Sequence, residues 1–145
     1  MRRFTSNYVC KLDAKGRLVL PARLKAAIPE NNGATLMLMH YFEPCLAIYT
    51  LEEFDITADK IAGLNEMKKE DRNIQRNFFR RVVEVELDSA GRILIPKNML
   101  EAVKIDKEVM AVGAGNRVEL WNPGVYQANY DMEDEELTDQ VQDIS

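Results

Sequence analysis

The sequence has few of the residues on which metal sites and nucleophilic catalysis depend. Its 145 residues include two cysteines, Cys10 and Cys45, and one histidine, His40. Neither cysteine has a second cysteine or a histidine at metal-ligand spacing, so we interpret both as small buried hydrophobic residues and expect no metal site. His40 lies in an apolar segment, which favours a structural role, and there is neither a nucleophile–base pair nor a phosphate loop. The sequence therefore predicts neither an enzyme nor a cofactor.

Long apolar runs are also missing. None approaches the roughly 20 residues that cross a bilayer, and the polar residues that follow Met1-Arg2-Arg3 do not form the apolar core of a secretory signal. With 46% apolar and 30% charged residues, the composition is typical of a soluble folded chain with one ordinary domain, or two small ones sharing a core. We therefore expect a cytoplasmic protein with no membrane partner.

Acidic charge predominates overall but is concentrated at one end. The net charge is -5, yet residues 131–145 contain seven acids and no base, so the residues before them carry +2. The first 29 residues hold seven bases against one acid, Asp13. The overall acidity is thus no argument against a nucleic-acid partner. We expect residues 127–145 to form an acidic tail that is disordered and solubilising.

A ten-residue segment occurs twice. LDAKGRLVLP at residues 12–21 returns as LDSAGRILIP at residues 87–96, with five letters identical and three exchanged between aliphatic residues. The correspondence continues into the next residues at the same offset of 75, and residues 46–49 correspond to 118–121 at an offset of 72. The chain therefore contains two copies of one structural unit.

Each copy predicts a strand, a turn, a second strand, a short helix and a further strand pair. In the turn, the aspartate can accept hydrogen bonds from nearby amides and the glycine supplies a positive φ, while Pro21 and Pro96 suit the first turn of a helix. Two helices, at residues 51–63 and 68–80, are expected between the copies. One copy alone is too small to bury both faces of a sheet. We therefore expect the two copies to close on each other as a mainly β, pseudo-twofold barrel or sandwich with short helices.

The arginine of the repeated turn is not explained by folding. A turn needs only the acid and the glycine, so the side chains of Arg17 and Arg92 have no role in forming it. A guanidinium group presents a planar fork of donors to carboxylate, phosphate or the O6/N7 edge of guanine. One interpretation pairs each arginine with the aspartate four positions earlier, Asp13 or Asp88. That pairing is compatible with DNA contact, because a carboxylate can hold a guanidinium in the pose that meets the groove.

Further basic residues surround the first turn. Lys15 lies on the turn itself, and such groups supply affinity by neutralising phosphates. The second copy has fewer basic residues near its turn, because Ala90 replaces Lys15 and Asn98 replaces Arg23. We therefore expect the two turns to contribute unequally to DNA binding. Five more basic residues lie close to the first turn in sequence and could neutralise phosphates, namely Arg2, Arg3, Lys11, Arg23 and Lys25. Of these, Arg2, Arg3, Lys11 and Arg23 are the further candidate DNA-binding residues.

The sequence resembles the MraZ family of bacterial transcriptional regulators. The resemblance rests on LDAKGR, on LDSAGRILIP, on IQRNFF at residues 74–79 and on VGAGNRVELW at residues 112–121. It implies two tandem SpoVT/AbrB-type domains, at residues 7–54 and 82–126, which form one double-psi or swapped-hairpin-like β-barrel with a helical connector at residues 55–81. It also implies DNA binding through the turn residues that match the family motif, namely Asp13, Lys15, Arg17, Asp88 and Arg92.

The resemblance also implies a biological setting. Such proteins repress promoters that carry short G-rich direct repeats upstream of division and cell-wall genes, including their own, and they assemble into ring-shaped homo-oligomers. The partner is then double-stranded DNA and the location the nucleoid. Three alternatives stay open: a toxin-binding antitoxin, which usually has one such unit and a toxin-wrapping tail, an oligomeric scaffold, and an enzyme on a related β-barrel.

Overall fold

The computed structural model describes residues 3–29 and 35–145, and within them the chain is mainly antiparallel β with short helices. The fold class expected from the sequence is therefore confirmed. The described elements are β1 (Asn7–Lys11), β2 (Arg17–Val19), α1 (Ala22–Ala26), β3 (Thr35–His40), β4 (Leu46–Thr50), α2 (Leu51–Ala62), α3 (Lys69–Phe79), β5 (Val82–Glu86), β6 (Arg92–Leu94), α4 (Lys97–Ala102), β7 (Glu108–Gly113), β8 (Val118–Trp121), α5 (Pro123–Asn129) and α6 (Asp134–Ile144).

The strand order has the symmetry expected of two copies. Six strands form one sheet in the order β1-β7-β8-β4-β3-β5, and β2 and β6 form a separate two-stranded ribbon. Equivalent strands of the two copies, β4 and β8, pair at the middle of the large sheet, and β2 and β6 pair with each other. The outer strands are exchanged, since β1 pairs with β7 of the second copy and β5 pairs with β3 of the first. Closure of these sheets into a barrel stays a prediction.

The hairpin predicted for each repeated turn is shorter than expected. Next to the first turn, only a bridge between Leu12 and Leu18 joins the two arms, and Leu87 and Ile93 form the equivalent bridge in the second copy. Beyond these bridges β1 enters the large sheet while β2 enters the ribbon. The sequence does not reveal this divergence, because each strand finds its hydrogen-bonding partner in the other copy.

One apolar core lies where the two copies meet. Equivalent residues contribute in pairs, such as Leu18 with Ile93 and Leu20 with Ile95, and all four are at most 4% exposed. Removing such side chains from water contributes about 1.5–3 kcal/mol each. The core therefore belongs to both units, as expected of two copies that close on each other.

The two connector helices expected from the sequence are confirmed. The hydroxyl of Thr50 accepts a hydrogen bond from the amide of Glu53 and so caps α2. Phe54 of α2 stacks on Phe78 of α3, with ring centroids 5.9 Å apart, and both pack against Met39 of β3. The connector thus has its own small apolar cluster outside the shared core.

The acidic tail is helical, so the expectation of disorder is wrong. Asn122 caps α5 by accepting hydrogen bonds at its Oδ1 from two amides, and Tyr126 and Tyr130 then pack on Trp121 at centroid distances of 5.4 and 4.4 Å. Three acids occupy the first turn of α6, where they interact favourably with the helix dipole. Composition alone does not reveal this, because the acids stabilise a helix start as well as solvating the chain.

Candidate nucleic-acid interface

The first repeated turn is closed by its own aspartate. The carboxylate Oδ1 of Asp13 accepts hydrogen bonds from the amides of Lys15 and Arg17, both at 2.9 Å. Two main-chain bonds complete the turn, from Gly16 N to Asp13 O and from Asp13 N to Arg17 O. Gly16 has φ +82°, a conformation that strains any residue with a Cβ. The acid and the glycine therefore have the folding roles that the sequence predicted.

The second turn repeats this geometry nearly atom for atom. Oδ1 of Asp88 accepts from the amides of Ala90 at 2.9 Å and Arg92 at 2.8 Å, and Gly91 has φ +76°. The side chain that differs, Ala90 in place of Lys15, contributes nothing to closing the turn, because only its amide takes part. The side chain of Lys15 thus takes no part in closing the first turn.

Each arginine is held by the aspartate of its own turn. Arg17 Nε donates to Asp13 Oδ2 at 2.7 Å, and Arg92 Nε donates to Asp88 Oδ2 at 2.8 Å. The local pairing that we considered from the sequence is confirmed. Because each bond uses Nε, the two terminal nitrogens of each guanidinium stay available, and about a third of each arginine side chain is exposed. The carboxylate orients the arginine through Nε and does not use the two terminal nitrogens of the guanidinium.

These contacts also shift the titration of the two acids. The pKa of Asp13 is lowered from its usual 3.8, mainly by the hydrogen bond from the Arg17 amide and then by the Arg17 side chain, with partial burial opposing the shift. The pKa of Asp88 is lowered in the same way by Arg92. Both carboxylates are therefore charged at neutral pH, and both ion pairs are formed.

The ribbon brings the two arginines onto one face. In β2 and β6 the side chains alternate, so that Leu18 and Ile93 point into the core while their neighbours point outward. Arg17 is opposite Leu94 and Val19 is opposite Arg92. The arginines are therefore diagonal neighbours, with Cα atoms about 7–8 Å apart.

We call the outward surface of this ribbon the ribbon face. Its two apolar members, Val19 and Leu94, are 55% and 58% exposed. The face consists of Arg17, Val19, Arg92 and Leu94, with two of its four residues drawn from each copy.

The other predicted contacts are distributed unevenly around the first turn. Lys15 is exposed on the turn, Lys11 ends β1 one residue before Leu12, and Arg23 is exposed on α1. The role of these residues in binding stays a prediction.

Arg3 lies far from the turns. Its neighbour Phe4 is buried and pairs with Gly115 through two main-chain hydrogen bonds of 2.8 and 2.9 Å. This places Arg3 at the far end of β1, roughly 20 Å or more of extended chain from Lys11. Arg2 lies outside the described residues.

Cysteine and histidine are residue types that catalytic sites often use, but here they are buried or half-buried. Cys45 is fully buried and its pKa is raised by burial, as expected for a core residue, whereas Cys10 in β1 is only half-buried. Burial lowers the pKa of His40, with the charge of Arg81 adding to the effect. Across residues 3–29 and 35–145, no group of three histidine, cysteine or acidic side chains could hold a metal ion.

Comparison with known proteins assigns the chain to a family. The profile of the family described as "MraZ protein, putative antitoxin-like" matches twice, over residues 4–77 and 78–144. The chain belongs to the MraZ family. The resemblance inferred from the motifs is thus confirmed, and the two MraZ matches divide the chain within α3. The predicted domain boundaries at residues 54 and 82 stay predictions.

Relatives from several bacteria resemble the chain over most of its length. A protein of Cytophaga hutchinsonii named Transcriptional regulator MraZ is 48% identical over 124 residues, which cover 86% of this chain and 82% of that protein. Proteins of the same name from Desulfitobacterium hafniense and from a Thermoanaerobacter species are 38% and 37% identical, over 92% and 95% of this chain and 90% and 96% of theirs. The likeness therefore includes both copies of the repeat.

One feature of the chain was not found by sequence reasoning. The exposed pair Val19 and Leu94 belongs to runs that read as core strand, and only the pairing of β2 with β6 shows that these residues face outward. A period-2 pattern around Leu18 and Ile93 was the available signal, but two three-residue strands are too short to establish it.

In the described part of the chain, no helix has the length and apolar character needed to span a membrane.

Proposed function

We propose that this protein is a transcriptional regulator that binds double-stranded DNA through the ribbon face, and that it acts as a repressor. The observation that carries the proposal is the pair Arg17 and Arg92, each held at Nε by a carboxylate while about a third of its side chain is exposed. A two-stranded β-ribbon fits the major groove, and a guanidinium fork matches O6 and N7 of guanine. The names of the relatives, each a transcriptional regulator, point in the same direction.

The chemistry of the ribbon face fits a G-rich site. Arg17 and Arg92 would each contact a guanine, while Val19 and Leu94 would exclude water and contact thymine methyl groups. Lys15, Lys11 and Arg23 would neutralise neighbouring phosphates, which gives affinity without reading the sequence. We propose a promoter with short G-rich direct repeats upstream of division and cell-wall genes, including the gene for this protein.

Repeated boxes call for more than one copy of the chain. One ribbon face offers two arginines, which is a small reading surface, and binding several tethered copies to successive boxes raises the overall affinity. We propose a ring-shaped homo-oligomer that acts on the chromosome in the cytoplasm, at the nucleoid. No catalytic step is part of this proposal.

A gel shift with the DNA immediately upstream of this protein's gene tests the function. We expect a shifted complex that is competed by the same duplex and not by one in which the G-rich repeats are scrambled. The particle mass of the free protein and of the complex, measured by light scattering, tests the oligomer at the same time. Equal binding to both duplexes would contradict sequence-specific regulation.

One observation favours an antitoxin as the alternative function. Leu137, Val141 and Ile144 are spaced along one face of α6 and are 50%, 49% and 86% exposed, as in a helix that binds a partner. The family's description also includes the term antitoxin-like. Removing residues 133–145 separates the functions, because an antitoxin would lose its partner while binding to the promoter duplex would persist.

A further inference from the structure

The second turn has a lysine beside it that comes from the first copy. A Cβ built on Gly91 would lie 3.5 Å from Nζ of Lys25 and 3.6 Å from its Cδ. Lys25 belongs to α1, which follows the first turn in sequence, yet its side chain extends along the second turn. The exchange of strands between the copies produces this arrangement, because the end of β2 lies next to Gly91, whose carbonyl accepts a hydrogen bond from Leu20.

The equivalent position at the first turn holds an apolar residue. Leu100 corresponds to Lys25 at the repeat offset of 75, and its Cδ1 would lie 3.7 Å from a Cβ on Gly16. Helix α1 therefore approaches the second turn as α4 approaches the first, but with a different side chain. The first turn has Lys15 on the turn and Leu100 beside it, whereas the second has Ala90 on the turn and Lys25 beside it.

The groove beside the second turn is basic. Lys25 lines it together with Lys11, Ala90 and Gly91, and no acidic side chain lines it in the part of the chain that the structure describes. The groove beside the first turn differs, because Asp13, Glu101 and Asp106 line it along with lysines. Within the described residues no carboxylate lies within ion-pair distance of Lys25, so its ammonium group is available to an anion from solution.

We propose that Lys25 is a DNA-phosphate contact of the second turn, supplied across the interface between the two copies. Each turn then presents one arginine to the bases and one lysine to the backbone, although the two lysines occupy different positions in the repeat. Ala90 leaves the space that a lysine on the turn would fill. This inference rests on the proposed function, and in place of the unequal pair of turns expected from the sequence it gives each turn one arginine and one lysine.

The test compares Lys25→Ala with a matched control, Lys60→Ala, which removes the same charge from the exposed face of α2. Affinity for the upstream promoter duplex is measured by fluorescence anisotropy over a series of salt concentrations. We expect Lys25→Ala to weaken binding roughly fivefold at low salt and to reduce the slope of log K against log salt by about 0.9 for each bound copy, with Lys60→Ala unchanged. Circular dichroism should be unchanged for both, since alanine suits a helix.

A rescue variant makes the test specific to the second turn. Lys25→Ala combined with Ala90→Lys moves the charge onto the turn itself, as in the first copy, and should recover most of the lost affinity and slope. If Lys25→Ala behaves like Lys60→Ala while Arg92→Ala loses binding, the role of Lys25 is refuted and the proposed function stands. If the wild-type chain does not bind the duplex, both fail. A loss that Ala90→Lys does not restore would also contradict the proposal.

Discussion

Leu18 and Ile93 face each other at the middle of the β2–β6 ribbon, and both side chains are fully buried. They occupy equivalent positions in the two copies, so the approximate twofold axis of the fold passes through this pair. Arg17 and Arg92 each precede one of them, and the same axis therefore relates the two arginines. The buried pair fixes the register that places both arginines on one face, since a shift of one residue in either strand would turn the arginine of that strand inward.

Replacing Leu18 or Ile93 with alanine should destabilise the protein strongly. Each change removes methyl groups from a fully packed site, and we expect a loss of about 2–5 kcal/mol in the free energy of unfolding. Urea denaturation followed by circular dichroism measures this loss. Val19→Ala, on the exposed side of the same strand, is the control and should change stability by about 0.5 kcal/mol or less. Equal effects of Leu18→Ala and Val19→Ala would contradict the assigned faces of the ribbon.

Arg17→Ala and Arg92→Ala should each greatly weaken binding to the promoter duplex while leaving the fold intact. Each arginine is proposed to contact a base, and losing one bidentate contact costs about 1–3 kcal/mol of discrimination. Arg17→Lys keeps the charge but loses the fork, and we expect it to bind specific and scrambled duplexes more nearly alike. Anisotropy with both duplexes gives the measurement, and Arg76→Ala on α3 serves as the remote control. Retained specificity in Arg17→Ala would rule out reading through this turn.

The aspartates of the turns should make stability depend on pH in acid. Their pKa values are lower in the folded protein than the usual 3.8, so their contribution is present above pH 3.8 and is lost as the pH falls through the lower folded values. The double variant Asp13→Asn/Asp88→Asn should therefore be less stable than the wild type at pH 7, and the difference should shrink below pH 3.8. Denaturation midpoints measured from pH 7 to pH 2 test this. A difference that stays constant with pH would show that the charges are not responsible.

The buried acid Glu119 should be needed for stability. Its carboxylate accepts hydrogen bonds from Arg117 Nε at 2.9 Å and from the indole Nε1 of Trp121 at 3.0 Å, and only 8% of its side chain is exposed. Glu119→Ala would leave the partly buried Arg117 without its carboxylate partner, which costs about 3–5 kcal/mol. Thermal denaturation followed by Trp121 fluorescence measures the loss.

The control for this variant is an ion pair at the surface. Lys97 and Glu101 are 4.0 Å apart and largely exposed, so Glu101→Ala should cost at most about 1 kcal/mol. If the two glutamate variants were equally stable, the ion pair of Glu119 would not contribute as its burial implies.

Local structure was largely predictable because short-range chemistry specifies it. The Asp-x-x-Gly-Arg turns form as expected, since an aspartate that accepts two amide bonds and a glycine at positive φ need no help from distant residues. The connector helices were predictable from their apolar spacing, and the pairing of Arg17 with Asp13 from its spacing of four residues. The helix at the acidic end was missed, because its start depends on where the acids fall and not on how many there are.

The sequence by itself determined that there are two copies of one unit and that an arginine is left over in each turn. Only the tertiary structure decided which strands pair, because a three-residue strand such as β2 can bond to any free edge and only shared burial selects β6. That choice turns Val19 and Leu94 outward and sets Arg17 diagonal to Arg92. It also brings Lys25 to Gly91 from 66 residues away in sequence, a proximity that no local pattern encodes.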